Sequence, residues 1–189
     1  MKKYLITDPK FYGNSEESFR NSIKKANKFD FILYRDKKSL NYRKFAKIFV
    51  DVLRGLGIDK IIIHQDPLLA KNLKAFGVHL TSQQFNEIKI SKELNLFTII
   101  STHSFKEIEL ANSLGADAVT FSPIFETPDK GMPKGVDTLQ KAVQSFSNMK
   151  IFALGGVLSE VEINKLSKVE GLFGFSSIRF FIRKGIIEN

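Results

Sequence analysis

The sequence contains no cysteine and no tryptophan, and only 5 of its 189 residues are proline. The lack of cysteine excludes a disulfide framework, a zinc–thiolate site and a thiol nucleophile. Apolar runs such as residues 61–63 and 97–100 are far shorter than the roughly 20 residues of a membrane-spanning helix, and the segment MKKYLITD lacks the apolar run of a signal peptide. We therefore expect a soluble, cytoplasmic protein that does not bind membranes.

The composition is otherwise that of a globular protein with one domain or at most two small ones. Hydrophobic residues make up 43% of the chain, and 29 Lys and Arg against 20 Asp and Glu give a formal net charge of +9. Because the basic residues are scattered, the excess charge indicates a lysine-rich surface or anionic small ligands rather than nucleic acid. We expect phosphorylated small molecules as partners. The protein is either a monomer or a homo-oligomer.

Short apolar runs rich in β-branched or aromatic residues alternate with longer segments of helical spacing. Eight strands are predicted at residues 4–7, 31–35, 60–64, 77–80, 97–101, 118–121, 151–154 and 172–175. Helices are predicted at residues 16–27, 40–56, 67–75, 84–94, 105–114, 136–146 and 159–167, with a reduced last helix at 176–184. Supporting helix signals are Ser39 and Ser104 as N-caps, Pro67 in a first turn, and Gly57 and Gly115 at helix ends.

The eightfold alternation predicts an α/β fold, a compact (β/α)8 TIM barrel, as a single domain over residues 1–189. The chain is short for such a barrel, which usually has about 200 residues or more, so short loops are expected. The alternative is an open, doubly wound sheet, which typically has a glycine-rich turn after its first strand. That turn reads ITDPKFYG here and lacks the glycine pattern.

Barrel active sites lie at the carboxyl ends of the strands, and the last two predicted strands end in ALGGV and FGFSSI. Gly155 and Gly156 let the backbone approach a ligand closely. Ser176 and Ser177 are predicted at the start of the terminal helix, where backbone N–H groups bind anions. We therefore predict a phosphate site here, with tight turns and capping serines as the alternative.

Two further segments carry basic residues at the same predicted rim. Arg35 and Lys37, in RDKK after the second strand, are predicted to clamp a second anionic group such as a diphosphate; a solvated loop is the alternative. The long loop SPIFETPDKGMPKG carries Thr127 and Lys130, and a lysine there can close over a phosphate unless this is only a variable surface loop.

Three histidines, His64, His79 and His103, lie at or just after predicted strand ends. No HExxH or similar spacing joins them, so a zinc site is not predicted. Each is either a hydrogen-bonded structural residue or an acid or base near neutral pH.

The strand-end residues resemble the thiamine phosphate synthase superfamily, which also contains the thiazole tautomerases. The likeness extends over nearly the whole chain and is most specific in its long central segment. The segments that resemble the family are LITD, ILYRDK, FGVHL, STHSFKEIELANSLGADAVTFSPIFETPDKG, FALGGV and FGFSSI.

The resemblance implies a (β/α)8 fold and the joining of hydroxymethylpyrimidine diphosphate to thiazole phosphate, with release of diphosphate and Mg²⁺ helping the leaving group depart. By matching position, Arg35 and Lys37 resemble the diphosphate-binding basic pair, Ser101 a polar contact, and Lys130 the loop lysine that meets diphosphate. The resemblance assigns the thiazole-phosphate shell to Thr127, Gly156, Ser176 and Ser177.

The sequence departs from the family pattern at four positions. Leu33 replaces a glutamine of the synthases, and Gln65 and Gln84 replace the two aspartates that hold Mg²⁺. The neighbouring Asp66 is the remaining candidate for a metal ligand. Pro123 stands where the tautomerases have their catalytic histidine.

Three hypotheses therefore stay open, besides other barrel chemistry such as sugar-phosphate isomerisation. The first is a divergent thiamine phosphate synthase that uses Arg35, Lys37 and Lys130. The second is a tautomerase-like enzyme acting on a thiazole phosphate, with His79 or His103 as the proton carrier. The third is a non-catalytic protein that binds a phosphorylated thiamine precursor.

Overall fold

Strands and helices alternate in the computed structural model, which describes residues 1–25 and 28–183. The strands are β1 (Lys2–Ile6), β2 (Phe31–Tyr34), β3 (Ile61–His64), β4 (Gly77–Leu80), β5 (Phe97–Thr102), β6 (Ala118–Phe121), β7 (Lys150–Leu154) and β8 (Gly174–Ser177). The helices are α1 (Pro9–Tyr12), α2 (Glu16–Lys25), α3 (Tyr42–Gly55), α4 (Pro67–Asn72), α5 (Glu87–Glu93), α6 (Phe105–Ser113), α7 (Gly135–Ser145), α8 (Glu160–Leu166) and α9 (Arg179–Arg183).

The eight strands form one closed, parallel barrel in chain order, in which β1 pairs with β2 on one side and with β8 on the other. Tyr4 is in register with Phe31 on β2 and with Ser176 on β8. The predicted single-domain (β/α)8 fold is thus confirmed, with all eight strands close to their predicted places. The largest shift is in β8, which lies two residues later in the chain than predicted.

The inside of the barrel is filled by alternate strand residues, since successive side chains of a strand point to opposite faces. Its buried apolar cluster consists of Tyr4, Ile6, Phe31, Leu33, Ile62, Ile99, Ala118 and Phe152. Gly174 makes room for the Phe152 ring, because a Cβ there would lie 2.8 Å from it. Aromatic packing therefore fills the lower barrel and leaves polar groups to the carboxyl ends of the strands.

Helix α1 was not predicted. The side chain of Asp8 caps it by accepting a 3.1 Å hydrogen bond from the Lys10 N–H, and Pro9 occupies the first helical position. Gly13 ends the helix with a φ of 67°. The segment DPKFYG thus contains both a start signal and a stop signal for a single helical turn.

The N-cap predicted at Ser104 is confirmed, because Ser104 and Glu107 form a reciprocal capping box at the start of α6. The N-cap predicted at Ser39 is wrong: α3 begins after Asn41, and the Ser39 hydroxyl instead accepts a 3.1 Å hydrogen bond from the Asn41 N–H. The other predicted helix signals are confirmed at Pro67, Gly57 and Gly115.

The predicted helix ends at residues 26–27 and 184 lie outside the described residues. Within residues 1–25 and 28–183, no helix has both the length and the apolar character needed to cross a membrane.

Candidate active site

A cavity of about 300 Å³ opens at the carboxyl ends of the strands. Arg35 and Lys37, which follow β2, reach it from one side, and Lys130 reaches it from the β6–α7 loop. Its remaining described lining consists of Ile6, Leu33, His64, His79, Thr81, Ser82, Ser101, His103, Ser122, Pro123, Leu154, Gly155 and Ile178. Among these described lining residues there is no carboxylate, so three cations face one cavity without an acidic residue in its wall.

The cations interact across this cavity. The pKa of Lys37 lies below its ordinary value, mainly because of the Arg35 charge, with contributions from burial and from Lys130. Arg35 has a nearby carboxylate outside the cavity wall, with Nη1 3.5 Å from Oδ2 of Asp8. An anion placed between the three cations would relieve their mutual repulsion.

His79 forms a hydrogen-bonded chain inside the barrel. Its Nδ1 lies 2.9 Å from the hydroxyl of Tyr4, and its Nε2 lies 3.0 Å from the hydroxyl of Ser101. Burial, followed by the electrostatic interactions with His64 and Arg35, lowers the pKa of His79 to about 3, so the ring is neutral. In the tautomer in which Tyr4 donates to Nδ1, Nε2–H donates to Ser101 and leaves the Ser101 hydroxyl proton free for the cavity.

His64 is neutral for a similar reason. Burial, followed by the charges of Arg35 and Lys37, lowers its pKa to about 3. His103 lies at the cavity mouth, with Nδ1 3.1 Å from the carbonyl oxygen of Ser122. The buried, neutral state of His64 and His79 favours a structural role for these two rings over acid–base chemistry near pH 7.

This neutral pair predicts that the protein loses stability as the pH falls. Below about pH 6.5 the unfolded chain takes up protons at both histidines, whereas native His64 and His79 stay neutral down to about pH 3. The free energy of unfolding should therefore decrease between pH 6.5 and 5 by about 1.4 kcal/mol per pH unit for each histidine. Urea titrations at several pH values measure this slope. The His79→Asn variant should show about half of it, and an unchanged slope would contradict the assignment.

The predicted phosphate site needs one correction, because Ser176 and Ser177 do not begin a helix. They are the last residues of β8, both buried, and α9 starts at Arg179. The Ser177 hydroxyl donates to the Val157 carbonyl at 2.8 Å and accepts from the Phe180 N–H at 3.1 Å. The Ser176 hydroxyl is buried and has no hydrogen-bond partner among the residues that the structure describes.

Gly156, Ser176 and Ser177 nevertheless lie together around a small cavity of about 80 Å³. This small cavity shares Leu154, Gly155 and Ile178 with the main cavity, so the two adjoin. We call it the glycine–serine cup. Gly156 has a φ of 69°, a conformation that glycine adopts at no steric cost.

Thr127 lies beside the cup rather than inside it. With Gly156 and Arg179 it lines a wider depression of about 740 Å³, most of whose wall belongs to the β6–α7 loop. Its hydroxyl donates a 3.0 Å hydrogen bond to the Phe125 carbonyl, and a Cβ at Gly155 would lie 3.1 Å from that hydroxyl oxygen. Thr127 thus packs against the glycine turn that forms the cup.

The residues at the expected Mg²⁺ positions do not fit this ion. Oε1 of Gln84 accepts from both the N–H and the hydroxyl of Thr81 at 3.1 Å, and its Nε2 donates to the Gln65 carbonyl at 2.9 Å. Asp66 caps α4 through a 2.8 Å hydrogen bond from the Leu69 N–H and faces Arg43 at 3.3 Å. Mg²⁺ sites rely on free carboxylates together with substrate phosphates. Here the nearby carboxylate of Asp66 is occupied, and the Gln84 amide is held by Thr81 and by the backbone carbonyl of Gln65.

Three participants were not predicted from the sequence: Tyr4 as the partner of His79, and Ile178 and Arg179 at the cup. The alternation of strand residues points to Tyr4 as an inward-facing position, but its partner is 75 residues away in the sequence. Arg179 follows FSSI directly, so the corrected end of β8 is what brings it to the cup.

Known proteins of similar sequence are described as thiamine-phosphate synthases. A family model described as thiamine monophosphate synthase matches residues 3–178. "Putative thiamine-phosphate synthase 2" of Aquifex aeolicus is 32% identical over 95% of this chain and 96% of its own length. A thiamine-phosphate synthase of Lactococcus lactis is 30% identical over 77% of this chain and 70% of its own. The structure of thiamine phosphate pyrophosphorylase from Pyrococcus furiosus superimposes with a TM-score of 0.77 and 23% identity, covering 97% of this chain and 91% of that one.

Proposed function

The chain belongs to the thiamine monophosphate synthase family, and from this premise we propose that it joins hydroxymethylpyrimidine diphosphate to thiazole phosphate. The products are thiamine phosphate and diphosphate. The main support for this proposal is that Arg35, Lys37 and Lys130 all line one cavity, which adjoins the glycine–serine cup. Two neighbouring anion sites suit a reaction between two phosphorylated molecules.

The proposed reaction is a substitution at the methylene carbon of the pyrimidine. The bond between this carbon and the diphosphate oxygen breaks, and the electron pair leaves with the diphosphate, so that a pyrimidine carbocation forms. The ring nitrogen of the thiazole then donates its lone pair to the carbon and becomes the positively charged nitrogen of the thiazolium. That nitrogen carries no proton, so the joining step needs no general base.

The cations take the main catalytic role because negative charge grows on the departing diphosphate. Fixed positive groups at the place where charge develops lower the barrier more than they stabilise the bound substrate. Arg35 and Lys37 would hold the diphosphate from the β2 side, and Lys130 would meet it from the opposite loop. The guanidinium of Arg35 can bind two phosphate oxygens at once.

The other predicted site residues bind and orient the precursors. We assign the thiazole phosphate to the glycine–serine cup, where Gly156 allows close backbone approach and the unpartnered Ser176 hydroxyl is available as a donor. Thr127 supports the cup from its outer side. The Ser101 hydroxyl, held by the neutral His79, is a polar contact for the pyrimidine ring.

The test is an assay of purified protein with both precursors, in EDTA and with Mg²⁺, in which thiamine phosphate is detected directly by mass spectrometry. We expect product that depends on both precursors. Conversion of thiazole phosphate alone would indicate the tautomerase alternative. Stabilisation by a precursor without turnover under any condition would indicate a binding protein.

A further inference from the structure

The corner of the site that holds Gln65 and Gln84 has no charge on these two side chains, and the Gln84 amide is hydrogen-bonded within it. An aspartate at position 84 would be unable to donate to the Gln65 carbonyl, as the Gln84 amide does at 2.9 Å. The Gln84 amide oxygen also holds the backbone and hydroxyl of Thr81, which lines the main cavity. The two glutamines therefore connect the loops after β3 and β4 without providing a negative group.

The carboxylates that follow β1, β2 and β3 are each occupied by protein groups. Asp66 caps α4 and faces Arg43. Asp36 is buried, and its Oδ1 accepts from the N–H groups of Lys38 and Ser39 at 3.0 and 3.1 Å. Asp8 lies 3.5 Å from Arg35. In the described part of the chain, no three histidine, aspartate or glutamate residues are grouped so that they could hold a metal ion.

Positive charge, in contrast, is concentrated where a diphosphate would lie. Lys37 lines both the main cavity and a second cavity of about 420 Å³, whose wall also includes Gln65 and the two occupied carboxylates Asp36 and Asp66. It is therefore placed between the neutral corner and Arg35. Lys130 completes the set from the other side of the opening.

We propose that this chain binds the diphosphate of its substrate through Arg35, Lys37 and Lys130 without a divalent cation. The Gln65–Gln84 hydrogen bond then takes the place of a metal site. The inference rests on the proposed function for the identity of the substrate, but the diphosphate interaction itself is measurable without turnover. A Mg²⁺ ion would compete with the three cations for the same phosphate oxygens, because each of them neutralises the same negative charge.

The first experiment is calorimetric titration of the protein with inorganic diphosphate, in EDTA and in excess Mg²⁺. We expect binding in EDTA and equal or weaker binding with Mg²⁺. Lys37→Ala should weaken binding in EDTA roughly ten- to hundredfold, since it removes a charged hydrogen bond. Lys141→Ala, an equal charge change on the exposed surface of α7, should have no effect. Binding that is detectable only with Mg²⁺, or that Mg²⁺ strengthens about tenfold or more, would overturn the proposal.

The second experiment places carboxylates at the neutral corner with the double variant Gln65→Asp, Gln84→Asp. Position 65 has a φ of 67°, which aspartate tolerates well, so the barrel should fold. In EDTA the variant should bind diphosphate more weakly than the wild type, and Mg²⁺ should restore its affinity. Equal affinities of variant and wild type under both conditions would contradict a role for this corner. If the variant does not fold, the wild-type comparison alone decides.

The proposed reaction and the proposed metal-free diphosphate site can be refuted separately. Diphosphate binding in EDTA without any formation of thiamine phosphate would support the metal-free anion site and refute the proposed reaction. Thiamine phosphate formed only with Mg²⁺ would support the reaction and refute the metal-free site.

Discussion

Replacement of Gly156 by valine should abolish the binding of thiazole phosphate, with at least about a hundredfold loss of affinity, or roughly 2.7 kcal/mol. A Cβ at this position would lie 2.5 Å from the Glu126 carbonyl oxygen and 2.6 Å from the Cβ of Phe125. These contacts involve the backbone of the β6–α7 loop, which cannot rotate away as a flexible side chain does. The φ of 69° adds strain for a β-branched residue. The loop is therefore forced off the cup, and calorimetry with thiazole phosphate measures the loss.

Gly57→Val is the matched control for this variant. Gly57 has a similar φ of 73°, but a Cβ there would meet nothing within 4 Å. It follows α3, ahead of β3 and therefore at the opposite end of the barrel from the cup. This control should lower the melting temperature through backbone strain and leave the affinity unchanged. Retained affinity in folded Gly156→Val would show that the thiazole phosphate binds elsewhere.

Lys130→Ala should lower turnover roughly 100- to 1,000-fold and leave the affinity for thiazole phosphate largely intact. The lysine faces the main cavity with Arg35 and Lys37, where the leaving diphosphate gains charge, and it does not line the glycine–serine cup. Removal of one fixed positive group from a developing anion typically has an effect of this size on the rate. Steady-state kinetics with both precursors give the turnover, and calorimetry gives the affinity.

Lys134→Ala serves as the control within the same loop. The Lys134 ammonium lies over the Phe121 ring, 5.4 Å from its centroid, and the residue does not line the main cavity. The substitution removes the same charge and should change turnover far less than Lys130→Ala. Equal losses in both variants would indicate a general effect of loop charge, and unchanged turnover in Lys130→Ala would remove this lysine from the mechanism.

The barrel was predictable because its strands are buried on both faces. Runs such as Ile61–His64 and Ala118–Phe121 are mostly apolar. The polar segments between consecutive strands are long enough for crossover helices. The family was predictable too, and the comparisons confirm it. The end of β8 was misplaced because Ser176 and Ser177 are small and polar, and their burial depends on the neighbouring strands β1 and β7.

The site itself depends on distances that no local pattern contains. The hydrogen bonds that link Tyr4, His79 and Ser101 form only because the barrel closes, so that β1, β4 and β5 all contribute side chains to its interior. The occupation of Asp66, in contrast, is local: α4 starts at Pro67, and that start makes the Asp66 carboxylate an N-cap. The sequence indicates which residues are candidates for the site. The fold determines which of these side chains face the cavity and which are already bound to other protein groups.

The most direct test of the central claim is a ³¹P NMR measurement of the reaction mixture in EDTA, with the protein and both precursors present. We expect diphosphate and thiamine phosphate to appear in equal amounts, at a rate that excess Mg²⁺ does not increase. Diphosphate that appears without thiamine phosphate, or the absence of both products from folded protein, would contradict the claim that this cationic rim joins the two precursors.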